Sequence, residues 1–193
     1  MTSRKIKTAV FASGKGTNFE AIVNAQNASS INIDVRMLVY NNKNALVKNR
    51  ADKLKIQSLF FNENAFDTKE DFENEMIRKM KDENIEFVLL AGWMRILSRR
   101  FLKIFPHTLN IHPSLLPAHP GKNAIEMSYR MFPKVAGCTV HRATEEVDAG
   151  PIIFQLSTPM SEEVSFAEFE EKVHQLEHEL YPKAIGKYVL DYF

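Results

Sequence analysis

Short apolar runs alternate with longer amphipathic segments through the first half of the chain. The runs at 8–12, 33–40, 56–60 and 87–91 are rich in β-branched and aromatic residues, which favours strands. Strands that alternate with amphipathic segments are typical of βαβ units, in which consecutive strands lie parallel. The first half therefore predicts a mostly parallel, doubly wound α/β sheet with helices on both faces.

One helix of this half can be placed from its own pattern. The sequence Asp67-Thr68-Lys69-Glu70 resembles a helix start, because a hydroxyl residue there can cap the first backbone N–H groups. Apolar residues then recur at the helical spacing of three or four positions. These residues predict one buried stripe: Phe72, Met76, Ile77 and Met80.

The second half has a different pattern of predicted elements. Strand-like runs at 108–112, 135–141 and 152–158 surround a proline-rich loop that extends through Gly121 and a helix that ends at about Met131. We found no internal repeat and no linker-like segment. The chain of 193 residues is also of a suitable length for one domain, so we expect residues 1–193 to form a single unit.

The last predicted helix begins at a capping box formed by Ser165 and Glu168. We expect Pro182 to interrupt it, because proline lacks the N–H of an interior helical residue and its ring clashes with the preceding turn. The inner face is predicted from four apolar positions: Phe169, Val173, Leu176 and Leu180.

Charge and cysteine content exclude several classes of protein. The chain has 25 Lys and Arg against 24 Asp and Glu, which does not fit the broad cationic face of a nucleic-acid-binding protein. Cys138 is the only cysteine, so no intramolecular disulfide can form and a reducing compartment is favoured. The absence of a signal-peptide pattern and of any run of about 20 apolar residues predicts a cytoplasmic protein that does not associate with membranes.

Asn110, His112 and Asp148 carry the strongest chemical signal. Asn110 and His112 are two positions apart in a predicted strand, so their side chains point the same way. Asp148 precedes Ala-Gly-Pro, a turn sequence that we expect to expose its carboxylate. Histidine can move a proton near neutral pH, aspartate can orient and charge it, and asparagine can donate to a developing oxyanion. For a single histidine before proline, a turn residue held by a backbone carbonyl is the alternative.

A glycine-rich turn follows the first predicted strand, at residues 12–18. Gly16 allows the backbone to approach an anion, and Thr17 and Asn18 offer donors where a helix begins, which favours phosphate binding. Phe19 occupies the position of the third glycine of a dinucleotide fingerprint, and Lys15 precedes the second glycine, unlike the lysine of a Walker A loop. A tight turn without a ligand is the alternative.

Two further segments allow more than one interpretation. His174, Glu177 and His178 match the H-x-x-E-H zinc pattern, yet the motif has only Asp191 near it as a third ligand. We therefore expect no metal, and either an ordinary helix with one buried face or a substrate contact from Glu177. Residues 94–97 follow the fourth strand at the edge where ligands of α/β sheets bind, and there they either pair with a flat heterocycle or close the core.

Four segments together resemble the phosphoribosylglycinamide formyltransferases, a folate-dependent formyltransferase family. They are S-G-K-G-T-N at 13–18, L-A-G-W-M-R-I-L at 90–97, L-N-I-H-P-S-L-L-P at 109–117 and V-D-A-G-P-I-I at 147–153. The resemblance covers essentially the whole chain. It implies a Rossmann-like formyltransferase fold and formyl transfer from 10-formyltetrahydrofolate to the amine of a phosphoribosylglycinamide, a step of purine biosynthesis that requires no metal.

The resemblance also implies a role for individual residues. Asn110, His112 and Asp148 would be the catalytic trio. The ribonucleotide would contact five residues: Gly16, Thr17, Asn18, Gly121 and Glu177. The folate would contact Asn110 and nine others: Lys69, Met94, Arg95, Ile96, Leu97, Thr144, Glu145, Glu146 and Val147. Residues 1–100 would form the half that binds the phosphoribosyl substrate, and residues 101–193 the catalytic and folate-binding half.

Some points stay open at this stage. Asn123 stands where many relatives have histidine, which leaves the support of the site uncertain. A formyltetrahydrofolate hydrolase and a methionyl-tRNA formyltransferase share the Asn-x-His and Asp pattern, but they usually carry an additional domain that we do not expect here. A noncatalytic folate or nucleotide binder is a further alternative. Small molecules are the expected partners, and the chain is expected to be a monomer or a homodimer.

Overall fold

The computed structural model describes residues 4–132 and 134–193 of the chain. Its strands and helices alternate through the first half, as the hydrophobic pattern predicts. Seven strands form one sheet: β1 Ile6–Ala12, β2 Ile33–Tyr40, β3 Gln57–Phe60, β4 Phe87–Leu90, β5 Thr108–His112, β6 Val135–Arg142 and β7 Ile152–Pro159. The strands lie within one or two residues of their predicted bounds.

In the part of the chain that the structure describes, six α-helices connect or follow these strands. They are α1 Thr17–Asn27, α2 Val47–Leu54, α3 Lys69–Asp82, α4 Arg99–Ile104, α5 Ala124–Met131 and α6 Phe166–Tyr192. Within the described residues, one 3-10 turn, Glu63–Ala65, lies between β3 and α3. None of the helices in the described ranges is long and apolar enough to cross a membrane.

The strand order in the sheet is β3-β2-β1-β4-β5-β6-β7. The pairs from β3 to β5 are parallel, whereas β5 pairs with β6 and β6 with β7 in antiparallel register. The chain leaves β1 toward one side of the sheet and returns through β4 on the other. This reversal creates a crevice at the carboxyl ends of β1 and β4, where α/β sheets bind their ligands.

Side chains of β1 alternate between two hydrophobic cores, one on each face of the sheet. Val10 and Ala12 belong to the core that α1 and α6 cover, and Ala9 and Phe11 to the core that α3 and α4 cover. Such strict alternation follows from the two-residue repeat of a strand. The prediction of a mostly parallel sheet with helices on both faces is confirmed.

Helix α3 confirms the predicted stripe. Thr68 caps it by accepting a hydrogen bond from the backbone N–H of Asp71 at 3.0 Å. The four apolar residues of the stripe are at most 5% exposed: Phe72, Met76, Ile77 and Met80.

The expectation that Pro182 interrupts the last helix is wrong. Helix α6 begins at the predicted capping box, and it continues through Pro182 to Tyr192. Proline in a helix interior costs about 3 kcal/mol. The turns beyond Pro182 bury Ala184, Ile185 and Tyr188 in the core, and the burial of large side chains returns about 1.5–3 kcal/mol each. Packing therefore outweighs the missing hydrogen bond.

Candidate active site

A cleft of about 1070 Å³ opens at the carboxyl ends of β1, β4 and β5. Residues 13–18 line it after β1, residues 90–97 after β4, and residues 110–113 at the end of β5. The connection between β6 and β7 closes the same edge with residues 143–148. The topology thus brings four segments that are distant in sequence to one site.

The glycine-rich turn between β1 and α1 is held through its main-chain carbonyl groups. The backbone N–H of Val47 donates to the carbonyl of Gly14 at 3.1 Å, and the Arg50 guanidinium donates to that of Lys15 at 2.9 Å. Gly16 is the N-cap of α1, and no side chain among the described residues caps this helix. The first N–H groups of a helix have no partner within the helix. Gly16 and Thr17 line the cleft, so the first N–H groups of α1 lie beside it.

Gly16 is required by both conformation and space. Its φ of 75° lies in the left-handed region, which costs a residue with a Cβ atom about 1–2 kcal/mol. A Cβ atom at this position would lie 2.3 Å from Cγ2 of Val47. The close packing of the turn against α2 thus excludes any larger residue.

One buried carboxylate organises the other end of the cleft. Oδ1 of Asp148 accepts a hydrogen bond from Nδ2 of Asn110 at 3.2 Å, and Oδ2 accepts one from the backbone N–H of Gly121 at 2.7 Å. Two imidazoles contact the same group: His112 through Nδ1 at 3.2 Å and His141 through Nε2 at 3.3 Å. We call Asn110, His112, His141 and Asp148 the carboxylate cluster.

The expectation that the turn exposes Asp148 is wrong. Its side chain is only 9% exposed, because the left-handed backbone of Asp148, with φ 52°, directs the carboxylate into the protein. Burial disfavours the charged form, but the contact with His141, the Gly121 hydrogen bond and the His112 imidazole outweigh it. Together they hold the pKa of the Asp148 carboxyl below its ordinary value.

Both ring nitrogens of His112 face oxygen acceptors. Nδ1 faces the carboxylate of Asp148, and Nε2 lies 2.8 Å from the main-chain carbonyl of His119. A carbonyl and a carboxylate can only accept hydrogen bonds, so the doubly protonated ring satisfies both contacts. The predicted proximity of His112 and Asp148 is thus present in the structure.

Sequence reasoning missed His141. It lies at the end of β6, where the antiparallel register pairs it with Asn110, and it is 2% exposed. Its position near the cluster depends on which strand pairs with β5 and in what register. The sequence pattern predicts the two strands but gives no register, so this neighbour could not be found from it.

The proline-rich loop after His112 is anchored to β6 and β7. The buried hydroxyl of Thr139 accepts a hydrogen bond from the N–H of Leu116 at 3.0 Å and donates to the carbonyl of Ser114 at 2.7 Å. The amide of Gln155 donates to the carbonyl of Leu116 at 2.8 Å. These bonds position the loop that carries the carbonyl of His119 toward His112.

Residues 94–97 form an apolar wall of the cleft. The backbone N–H of Met94 donates to the hydroxyl of Ser13 at 3.0 Å, and Glu73 holds the following residue, Ser98, through its N–H at 2.9 Å. Met94 and Ile96 are 64% and 58% exposed, whereas Leu97 packs into the core and is 6% exposed. The segment is therefore fixed at both ends and offers apolar side chains between them.

The H-x-x-E-H segment lies on the cleft side of α6. Nδ1 of His174 pairs with Oε2 of Glu177 at 2.9 Å, and the Glu177 side chain is 5% exposed. The hydrogen bond to Glu177 raises the pKa of His174 above its ordinary value, while burial and Lys15 act against it. Burial lowers the pKa of His178. Among the described residues, no group of three or more His, Cys, Asp or Glu side chains is placed to hold a metal ion.

Several buried polar atoms along the cleft have no protein partner within the described part of the chain. They are Oδ1 of Asn18, Nε1 of Trp93 and Nε2 of His178. A buried polar atom without a partner costs about 1–3 kcal/mol, so a ligand that pairs with it gains affinity. We call residues 13–18 together with His174, Glu177 and His178 the glycine-rich end.

The cleft collects nearly all of the residues that the sequence singles out. The catalytic trio, the glycine-rich turn, Gly121, Glu177, Met94 to Leu97 and Thr144 to Val147 all line it. Lys69 does not: it is the exposed first residue of α3 and lies outside the cleft lining. Its assignment to the folate stays a prediction.

Known proteins resemble this chain over nearly its whole length. A family model described as formyl transferase matches residues 6–185. The chain is 39% identical over 180 residues to the phosphoribosylglycinamide formyltransferase of Bacillus subtilis, covering 93% of this chain and 92% of that protein. It is 35% identical over 184 residues to the trifunctional purine biosynthetic protein adenosine-3 of Gallus gallus, covering 95% of this chain and 18% of that protein.

Solved structures show the same relationship. The crystal structure of glycinamide ribonucleotide transformylase 1 from Symbiobacterium toebii superposes with a TM-score of 0.93 at 33% identity. The superposition covers 98% of this chain and 90% of that one. The fold and the order of its elements are therefore shared over almost the full length of both chains.

Proposed function

Because the chain belongs to the formyl transferase family, whose model matches residues 6–185, we propose that it transfers a formyl group from 10-formyltetrahydrofolate to the amine of N1-(5-phosphoribosyl)glycinamide. The names of its relatives give phosphoribosylglycinamide as the formyl acceptor and purine biosynthesis as the process. The observation that carries the proposal is the carboxylate cluster. One buried Asp148 carboxylate there contacts an amide and two imidazoles at the end of a large cleft.

The reaction needs an oxyanion site and a path for one proton. The substrate amine attacks the formyl carbon, whose oxygen gains negative charge. The bond from that carbon to N10 of the folate then breaks, and the proton lost by the amine ends on N10. Asn110 and protonated His112 would donate to the charged oxygen, and in related chemistry one such donor contributes about 3 kcal/mol.

His112 would act through its Nε2–H, which donates to the carbonyl of His119 at 2.8 Å. The formyl oxygen would replace that carbonyl as the acceptor when its charge develops. The Asp148 carboxylate would stabilise the charged ring through Nδ1, and the lowered pKa of Asp148 keeps this carboxylate ionised at neutral pH. The loop that carries His119 would then have to release the donor during each catalytic cycle.

The ribonucleotide would bind along the glycine-rich end. Its phosphate would accept hydrogen bonds from the first N–H groups of α1, at Gly16, Thr17 and Asn18, where the helix dipole also favours an anion. The buried Glu177 carboxylate would accept from hydroxyl or amine groups of the substrate. The N–H of Gly121 is bonded to Asp148, so its main contact in this conformation is internal.

The formyl folate would lie against the apolar wall. The exposed side chains of Met94, Ile96 and Val147 offer a surface for a flat heterocycle, and the cleft volume of about 1070 Å³ exceeds a typical small-molecule pocket. Thr144 to Glu146 would frame the same side. Arg95 is paired with Glu63 at 2.6 Å, and Glu145 with Arg99 at 3.1 Å, so both side chains have partners of their own.

Four finer assignments belong to the same proposal. The chain would work in the cytoplasm as a monomer or a homodimer, and small molecules would be its partners. Residues 1–100 would supply the phosphoribosyl half and residues 101–193 the catalytic and folate half. The two roles overlap in this assignment, since the apolar wall of 94–97 precedes the division and Glu177 follows it.

A spectrophotometric assay tests the function directly. Purified protein is mixed with 10-formyltetrahydrofolate, with and without the ribonucleotide, and the folate product is followed by absorbance while the formylated ribonucleotide is identified by mass. Product that requires the ribonucleotide supports the proposal. Release of formate without the ribonucleotide would instead indicate a hydrolase. Absence of product in both mixtures would overturn the assignment.

A further inference from the structure

Ser13 joins the two parts of the cleft that we assign to different substrates. It is the first residue after β1 and belongs to the glycine-rich end, whereas Gly92 and Met94 follow β4. The backbone N–H of Ser13 donates to the carbonyl of Gly92 at 3.0 Å, and the Ser13 hydroxyl accepts from the N–H of Met94 at 3.0 Å. All three residues line the cleft. One residue thus bonds the phosphate turn to the apolar wall.

This connection extends the pairing of β1 and β4 beyond the sheet. The register of the two strands ends at Phe11 and Leu90, and the N–H of Ala91 still donates to the carbonyl of Phe11 at 2.8 Å. Gly92 then turns the chain with a left-handed φ of 80°, which glycine adopts without strain. The N–H of Met94 is bonded by a side chain, where a sheet would use a backbone carbonyl. A single substitution can therefore remove this last bond.

The hydroxyl of Ser13 can respond to a ligand. A serine hydroxyl has one hydrogen to donate and can also accept. Toward Met94 it is the acceptor, and no described residue accepts its hydrogen. An acceptor group of a ligand in the cleft can therefore take that hydrogen. Hydrogen bonds in a chain polarise one another, so donation to a negatively charged ligand strengthens the bond from Met94.

The wall is anchored differently at its two ends. At the far end, Glu73 accepts from the N–H of Ser98 at 2.9 Å and is itself buried, away from the glycine-rich end. At the near end, Ser13 belongs to a turn whose helix α1 has no side-chain cap among the described residues. A ligand that orders this turn also orders the wall behind it, so a second ligand loses less conformational entropy on binding.

We propose that Ser13 is a positioning residue that couples the two substrate sites, so that a bound ribonucleotide raises the affinity of the apolar wall for the folate. The coupling is reciprocal, because two ligands that share one equilibrium change each other's affinity by the same factor. A factor of about ten is within the usual range for such coupling. The inference rests on the proposed function for the identity of the two ligands.

Titration calorimetry measures the coupling without turnover when tetrahydrofolate, which carries no formyl group, replaces the formyl donor. We expect its Kd to be about tenfold lower with saturating ribonucleotide than without it. The Kd of the ribonucleotide should fall by the same factor when tetrahydrofolate is present. Equal Kd values in the two conditions would overturn the proposal, and failure of the ribonucleotide to bind would overturn both this proposal and the proposed function.

Three variants separate coupling from local support of the wall. Ser13→Ala removes the hydroxyl and keeps the N–H bond to Gly92, so the coupling factor should fall below about twofold while the Kd of each ligand alone stays within about threefold. Ser13→Thr keeps a hydroxyl and should retain most of the coupling. Glu73→Gln is the matched control at the other anchor: it should weaken tetrahydrofolate binding equally with and without ribonucleotide. Full coupling in a folded Ser13→Ala variant, or its loss in Glu73→Gln alone, would overturn the proposal.

Amide hydrogen exchange of Met94, followed by NMR, reports on the link itself. Ribonucleotide alone should slow this exchange about tenfold in the wild-type chain and by less than about twofold in Ser13→Ala, since the acceptor is then missing. Unchanged exchange in the wild type would overturn the proposal. Coupled binding and slowed exchange without formyl transfer would overturn the proposed function and leave the coupling. Formyl transfer with independent binding would do the reverse.

Discussion

The two ends of the cleft differ in how their polar groups are partnered. In the carboxylate cluster, Asp148 accepts from Asn110 and Gly121 and contacts two imidazoles. At the glycine-rich end, buried atoms of Asn18 and His178 have no protein partner among the described residues, and α1 has no side-chain cap. Groups that are fixed before a reaction can stabilise a transition state without reorganisation, whereas groups without partners gain most from a ligand. The first end is thus suited to chemistry and the second to binding.

Removal of the charge from Asp148 should impair the chemistry of the carboxylate cluster more than any other change. In Asp148→Asn the shape is kept, but the new amide brings donors to neighbours that are themselves donors. We expect kcat to fall by on the order of ten thousandfold, as when a similar carboxylate beside a catalytic histidine is neutralised, with KM values within about threefold. Steady-state kinetics with both substrates measures the change. A loss below about tenfold would contradict the central place of this carboxylate.

The same variant has a pH signature in stability. The pKa of Asp148 is lowered in the folded protein, so its contribution to the free energy of unfolding is present above the unfolded value of about 3.9 and is lost as pH falls through the folded pKa. Denaturant unfolding of wild type and Asp148→Asn should therefore converge on acidification below about pH 4. A constant difference down to pH 2 would disagree with this expectation.

A charge placed at the glycine-rich end should affect binding and spare the chemistry. Asn18→Asp keeps the side-chain shape and introduces a negative charge where we propose a phosphate. We expect KM for the ribonucleotide to rise about thirtyfold while kcat and KM for the folate stay within about threefold. The variant should still fold, since a carboxylate near a helix N-terminus is favourable. An unchanged KM would exclude the phosphate from this turn.

His174 should contribute a smaller, pH-dependent part of the same binding. Its hydrogen bond to Glu177 raises its pKa, so the ring is positively charged below that raised value and neutral above it. Between pH 7 and 9, where the substrate phosphate is already a dianion, KM for the ribonucleotide should rise about threefold in wild type. In His174→Gln the KM should be flat over this range. A rise of equal size in both proteins would assign it to another group.

The smallest effect is expected from a control variant that lowers stability and changes neither end of the cleft. Ser165 caps α6, the helix that carries Glu177 and His174, and it forms a capping box with Glu168. Ser165→Ala should lower the free energy of unfolding by about 1 kcal/mol and leave kcat and KM unchanged. Changed kinetic constants would mean that the difference between the two ends depends on global stability.

Much of the fold could be predicted from the sequence because its periodic signals agree with the packing. The strands β2 and β5 have their predicted bounds, and the stripe of α3 is buried as expected. The prediction at Pro182 was wrong because the rule that proline ends a helix does not include the burial of the apolar turns that follow it. Those turns pack against the sheet, whose strands are distant from them in the sequence.

The site was less predictable, for a physical reason. Asn110 and His112 share a strand face, so their proximity follows from the two-residue repeat. The proximity of Asp148 to these two residues was also predicted. Its burial, however, depends on a left-handed backbone that a turn sequence alone does not specify. His141 reaches the cluster only through strand register, and Lys69 lies outside the lining because α3 begins away from the crevice.

Burial of the single thiol has a practical consequence. Cys138 lies in β6 at 0% exposure, and burial raises the pKa of its thiol, so little reactive thiolate forms at neutral pH. A cysteine introduced at exposed Glu146 would be the one site that reacts rapidly with alkylating dyes or spin labels. Movement of the segment between β6 and β7 could then be followed during turnover in a protein that keeps its native cysteine.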